Sequence, residues 1–292
     1  MAAEGRLTTR LRYSVFDQRA EGFAEAGIGP GVGDPLVRAT GWKIISDGSN
    51  QGRTGHQREP YLGGTDRGLA YVDPADLVGI VRRRAAEGWQ VVVHANGDQA
   101  VDDVLDAFAA LDVDHRVGRR HRIEHCSILH DDQIARIAEL DLSPSFLIGH
   151  VHYWGQAFRD DLFGPEKAAL LDRTASCTDA GITWTIHSDE LVTPMDPLRC
   201  IDNAVNRDLW REPASVLAPD ERVSVEAGIR AMTADAAWQC HSDHEIGSLE
   251  PGKRADFVVL DADPRAVEPT AIRDIEVLET WMDGRQVYRA DR

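Results

Sequence analysis

The sequence predicts an α/β protein made of βα units around a parallel sheet, the pattern of a (β/α)8 TIM-type barrel. Short, almost unbroken runs of Val, Ile and Leu recur along the chain, as strands buried on both faces require. An amphipathic stretch follows most of these runs, repeating at intervals of about 30 residues. The length, 292 residues, holds one barrel or two modest domains.

Residues 6–16 (RLTTRLRYSVF) are rich in β-formers and give a first strand, and 41–49 (GWKIISDGS) a second. A Gly-rich insertion over 47–71 follows. Asp73 as N-cap and Pro74 at the first helical position open a helix that reaches about Glu87, with Gly88 as its stop. Residues 89–98 (WQVVVHANGD) are the third strand, and Asp98 is expected to cap a helix whose Val101, Val104, Leu105 and Phe108 form one apolar stripe. The fourth strand lies in 121–129, before a helix from Asp131 that turns Ile134, Ile137, Ala138 and Leu140 inward. Residues 141–150 and 181–190 supply two more strands, and Ser224 opens a last helix carrying Ile229, Met232 and Trp238. Near Gly247 the rhythm changes. A β run at 256–260, a helical-looking stretch, and Asp283-Gly284 between two further β runs give a hairpin with a type I′ turn. The expected division is therefore a barrel over 1–245 and a small β unit over 246–292.

Composition narrows the function. With 32 Lys and Arg against 49 Asp and Glu, the net charge is −17, so the field of the whole molecule repels nucleic acid, whose binding rests on phosphate neutralisation. No run of about 18 uncharged apolar residues suggests a membrane span. The first residues, MAAEGRLTTRLR, lack the apolar core of a secretory signal, and the expected location is the cytoplasm. Cys126, Cys177, Cys200 and Cys240 are scattered without a CxxC pair, against both a disulfide framework and a zinc knuckle.

In a parallel βα barrel the chemistry sits where strands end at their C-terminal side, because the loops there form the open concave face. Lys43, His94, His125 and Asp189 all pass that filter. Each has a plain alternative: a histidine can be a hydrogen-bonded core residue, an aspartate a turn residue, a lysine a snorkelling surface chain. Their joint occurrence at intervals of about one and two βα units favours a site. Two neutral imidazoles and a carboxylate suit zinc or a similar divalent ion, and a buried lysine can react as a neutral amine. Cys240, His241, Asp243 and His244 look metal-like but stand between a helix end and a turn, and they are read as structural.

The runs WKIISDGS (42–49), HANGDQA (94–100), RIEH (122–125), HSDELVTPMDP (187–197) and GSLEPGKRADFVVL (247–260) resemble the amidohydrolase superfamily, in particular the amidohydrolase 3 group of YtcJ-like and N-substituted formamide deformylase-like enzymes. The resemblance runs from about Arg6 to Tyr288. It implies a hydrolase of amide-type C–N bonds, other than peptide bonds, that uses a metal-activated hydroxide and one or two divalent ions, zinc foremost. Lys43 would be carboxylated and bridge the ions, His94 and His125 would be ligands, and Asp189 would be both ligand and proton-transferring base. A small-molecule substrate is implied.

One departure stands out. The family's first strand ends in His-x-His, whereas the one such motif in this chain, His150 to His152, follows the strand at 141–150. The resemblance therefore equates these strands with strands 3 to 8 of an incomplete barrel and the tail with strands of a β-sandwich. The chain is then expected to need a second copy or a complementing N-terminal segment, since open barrel edges carry unpaired backbone groups. His150, His152, Tyr153 and Trp154 are candidate substrate contacts at the barrel mouth, and Asn206 and Arg207 could orient a carbonyl or carboxylate. Two other readings fit the same residues: a truncated barrel without turnover, and a mononuclear deaminase-like hydrolase that does not need Lys43.

Overall fold

A computed structural model describes residues 6–291. Six strands form one sheet in chain order: β1 (Leu11–Phe16), β2 (Val37–Ile45), β3 (Gln90–Ala95), β4 (Arg122–His125), β5 (Ser143–Phe146) and β6 (Thr185–Ile186). Every neighbouring pair is parallel. Five of the six strands fall inside the expected segments, and β2 starts four residues before its own, at Val37. Together they make a partial TIM-type barrel in which, among the described residues, β1 and β6 each pair on one side only.

Register decides which side chains face the barrel interior. Lys43 stands opposite Val92, and Val92 opposite Arg122. One step further up, Ile45, His94, Glu124, Ser145 and Thr185 follow one another across the strands. Alternation along each strand sends these two rows to one face. The opposite face presents Trp42, Ile44, Val91, Val93, Ile123, Phe146 and Ile186, all buried. Hydrophobic burial therefore attaches the sheet to its helices, and the interior is left largely polar.

Helices α1 (Ala20–Glu25), α2 (Pro74–Ala86), α3 (Asp98–Ala109) and α4 (Asp131–Glu139) follow β1, β2, β3 and β4. The Asp73 side chain accepts from the Ala75 N–H, as the sequence predicts. On α3 the N-cap is Gly97, and Asp98 is the first residue inside the helix. Its buried carboxylate turns instead to the Arg58 N–H (2.8 Å), His130 (2.9 Å) and Lys167 (2.8 Å). Val101, Val104, Leu105 and Phe108 are buried on α3, as are Ile134 and Ile137 on α4. The Ser224 helix forms, with its hydroxyl accepting from the Ala227 N–H, but breaks at Thr233 into Val225–Met232 and Ala234–Gln239.

A hairpin of β7 (Asp208–Leu209) and β8 (Glu212–Val216) precedes the tail, where β9 (Phe257–Leu260), β10 (Val277–Met282) and β11 (Arg285–Arg289) form an antiparallel sheet. Asp283 and Gly284 both have positive φ (53° and 70°), as a type I′ turn requires. Arg10 pairs with Asp256 at 2.5 Å and Arg12 with Glu245 at 2.8 Å, so β1 and the approach to it are tied to the tail. Among the described residues no helix is long and apolar enough to cross a membrane.

Candidate metal centre

His94 is next to last in β3 and His125 is the last residue of β4. Because these strands are neighbours, the two rings meet edge to face with centroids 4.4 Å apart. His187 lies one residue past β6, and its ring centroid is 5.2 Å from that of His125. His187 Nε2 lies 3.4 Å from His125 Nδ1. Burial drives both His125 and His187 well below the ordinary histidine range, helped by the neighbouring charges of His94, Lys43 and, for His187, Arg122. Both rings are neutral at pH 7, so each has one nitrogen lone pair to offer.

Lys43 reaches across the interior to an ion pair with Glu124, which also binds Arg122. Burial, then the Arg122 charge, lower the Lys43 ammonium to about 7, opposed by the carboxylate of Asp189. Asp189 lies beyond β6 in an exposed turn with φ 50°, close enough for its charge to act on Lys43. The four residues singled out from strand ends therefore converge on one end of the sheet.

The donor set suits a divalent ion in part. Two nitrogens bound tetrahedrally at zinc distances of 2.0–2.1 Å are about 3.3 Å apart, close to the spacing between His125 and His187. His94 Nε2, however, lies 3.0 Å from the Gly48 carbonyl oxygen and 3.1 Å from Asn96 Nδ2. Among the described residues no group of three or more His, Cys, Asp or Glu side chains is arranged to hold a metal ion.

His187, Glu124 and Arg122 were missed as site residues by the sequence reading, although a signal existed. Each follows the odd-even alternation that sends Lys43 and His94 inward, and His187 belongs to the same HSD triplet as Asp189.

Several proposed substrate contacts are corrected. Arg207 is wholly buried, and its guanidinium donates to the backbone carbonyls of Leu217 (2.9 Å), Asp172 (3.0 Å) and Leu171 (2.7 Å). Asn206 donates to Asp202 and to the Pro269 carbonyl, both at 2.9 Å. Through these bonds both residues secure chain crossings. His152 is buried, with Nδ1 3.0 Å from the Asp208 carbonyl oxygen, and therefore anchors β7. His150 is also buried, between Ser127 Oγ (3.2 Å) and Gln51 Nε2 (3.4 Å); burial lowers it to about 3. Tyr153 and Trp154 do line a cavity of about 380 Å³, with Val192, Pro194 and Trp210. Asp243 pairs with Arg120 at 2.6 Å, in keeping with a structural role for the 240–244 cluster.

A profile of the Amidohydrolase family matches residues 1–288. The chain is 29% identical over 260 residues to the putative amidohydrolase YtcJ of Bacillus subtilis (strain 168), covering 87% of this chain and 48% of that protein. It is 29% identical over 228 residues to the N-substituted formamide deformylase of Arthrobacter pascens, covering 78% and 41%. A crystal structure of an uncharacterized metal-dependent hydrolase from Pyrococcus furiosus superposes with a TM-score of 0.77 at 31% identity, covering 90% of this chain and 53% of that one. The chain thus spans less than half the length of these two curated relatives. Agreement of sequence, strand order and interior chemistry leads to one conclusion: the chain belongs to the amidohydrolase family.

Proposed function

We propose that this chain carries the strand 3 to 8 side of a metal-dependent hydrolase acting on an amide-type C–N bond of a small molecule, with Lys43, His94, His125 and Asp189 as its metal-binding set. The observation that carries the reading is the convergence of imidazoles from β3, β4 and the end of β6 on the side of the sheet that Lys43 faces. Zinc is the ion this donor chemistry favours. A bound divalent ion would supply Lewis acidity toward the substrate carbonyl and make water a nucleophile at neutral pH.

The chain's own groups divide the remaining work. Buried and neutral, His125 has one ring-nitrogen lone pair to offer an ion. Once its ammonium has given up a proton, Lys43 can add CO2 at its nitrogen with loss of a second proton and become an anionic oxygen ligand. Asp189, exposed at the rim, is suited to take a proton from the attacking water and pass it to the leaving nitrogen. Tyr153, Trp154 and Trp210 offer an aromatic wall for an apolar substituent.

Metal analysis of the purified full chain tests this. One to two equivalents of zinc are expected, with His125→Ala losing them and His241→Ala retaining them; retention by His125→Ala overturns the assignment. A second reading, a barrel that turns nothing over by itself, is favoured by the lack of a three-ligand group among the described residues. It predicts less than about 0.1 equivalent of metal, against the tight binding expected of a complete zinc site. A deaminase-like site would instead release ammonia from amino-heterocycles and tolerate Lys43→Ala.

A further inference from the structure

The barrel interior contains a hydrogen-bonded chain that the reaction does not require and the four proposed ligands do not include. It begins at Gln239, at the end of the helix Ala234–Gln239, and ends at His187. Gln239, Ser143, Ser145 and Thr185 are all at most 5% exposed, so water does not compete for their polar atoms.

Proton bookkeeping fixes the direction of every bond. The Pro144 carbonyl can only accept, so the Gln239 atom 3.0 Å from it is the amide nitrogen, which also donates to Ser143 Oγ at 2.6 Å. Ser143 spends its own proton on the Thr183 carbonyl at 2.5 Å, consistent with that orientation. Gln239 Oε1 is then an acceptor, and the single hydroxyl proton of Thr185, 2.8 Å away, goes to it. The contact between Thr185 Oγ1 and Ser145 Oγ, also 2.8 Å, must therefore carry the proton of Ser145. With that proton committed, Ser145 Oγ can only accept from His187 Nδ1 at 3.0 Å.

We infer that Gln239, acting through Thr185 and Ser145, is a positioning residue that holds His187 as its Nδ1–H tautomer and turns the Nε2 lone pair toward His125. The inference adds His187 to the metal-binding set and so rests on the proposed function for its purpose, though not for its geometry. The relay places a ring proton on Nδ1, which leaves Nε2 as the nitrogen free to serve as a ligand. Hydrogen bonds to the other ring nitrogen of a metal-binding histidine set its orientation and are worth about 10- to 100-fold in metal affinity.

The test uses the full metal-stripped chain labelled with 15N-histidine, reading the His187 tautomer from two-bond 1H–15N correlations, and a parallel Co(II) titration followed by its visible absorption. The unmodified chain should show His187 protonated at Nδ1. In Thr185→Val, the freed Ser145 proton should turn to His187 Nδ1, move the ring proton to Nε2 and weaken Co(II) binding by about 10-fold or more. Thr185→Ser, which keeps the hydroxyl, should restore both. A His187 protonated at Nε2 in the unmodified chain overturns the relay, and this reading stands even if Thr185→Val does not fold. An unchanged tautomer in both Thr185→Val and Ser145→Ala overturns it as well. An Nδ1–H tautomer in a chain that binds no Co(II) supports the relay and counts against the proposed function alone.

Discussion

The loop leaving β3 and the loop leaving β6 flank the same end of the barrel, and they are held in opposite ways. After β3, the wholly buried Asp47 accepts from the N–H groups of Asn96 (3.0 Å), Gly97 (2.8 Å) and His56 (2.9 Å). Asn96 donates in turn to the Gly48 carbonyl at 2.9 Å. The fit leaves no room at Gly97, where a Cβ would stand 1.9 Å from the His56 carbonyl oxygen. After β6 the bonds are local, such as Thr193 N–H to the Ser188 carbonyl at 3.2 Å. Leu191 and Met195 there are 90% and 74% exposed, and Thr193 is the buried anchor. On the proposed function the difference would separate two tasks: histidine ligands need fixed positions before an ion arrives, whereas a proton-carrying aspartate at the rim can work from a segment with little local stability.

Asp47→Ala should break the comparison most strongly. It strands three N–H donors that now share one buried carboxylate. Bonds to charged groups contribute about 1.5–3 kcal/mol each, and a buried donor left without a partner costs about 1–3 kcal/mol. A loss of about 4 kcal/mol in urea unfolding is expected, with metal retention falling alongside. A loss under about 1 kcal/mol would mean that Asp47 is not the clamp.

The firmly held side also carries a pH dependence. His121 is wholly buried at the start of β4, where its Nδ1 accepts from the Val91 N–H at 2.9 Å. Burial pushes it down to about 4. An ordinary histidine near 6.5 in the unfolded chain binds the proton that the folded one refuses. Between pH 6.5 and 4 the unfolded state therefore holds more protons, and stability present above that window is lost as pH falls through it. The full effect of this one group is about 3 kcal/mol. His121→Asn should flatten part of the slope in a urea series from pH 7 to 4, and an unchanged slope would exclude His121 as a source.

These features explain what was legible in the sequence. The six strands were, because burial on both faces writes Val and Ile runs that need no knowledge of partners. His94 and His125 were, because strand ends are local. Arg207 and His152 misled because their partners are remote in the chain: the Leu171 and Asp172 carbonyls for one and Asp208 for the other. A buried arginine capping carbonyls and an exposed arginine awaiting substrate have the same sequence. The role of His187 was legible in half, since alternation sends it inward, but its relay depends on Gln239, which arrives from another helix at the opposite end of the strands.

The smallest effect sharpens the comparison from the loose side. Leu191 is 90% exposed on the β6 loop, so Leu191→Ser removes almost no buried area and opens no cavity. Surface changes of this kind stay within about 0.5 kcal/mol. Urea midpoint and metal retention should both match those of the unmodified chain, where Asp47→Ala moves both. Should Leu191→Ser destabilise the fold by more than about 1 kcal/mol, the segment must be covered by something in solution, since only a side chain removed from water contributes that much. The β6 loop would then be as firmly held as the β3 loop, and Asp189 would have to act from a fixed position.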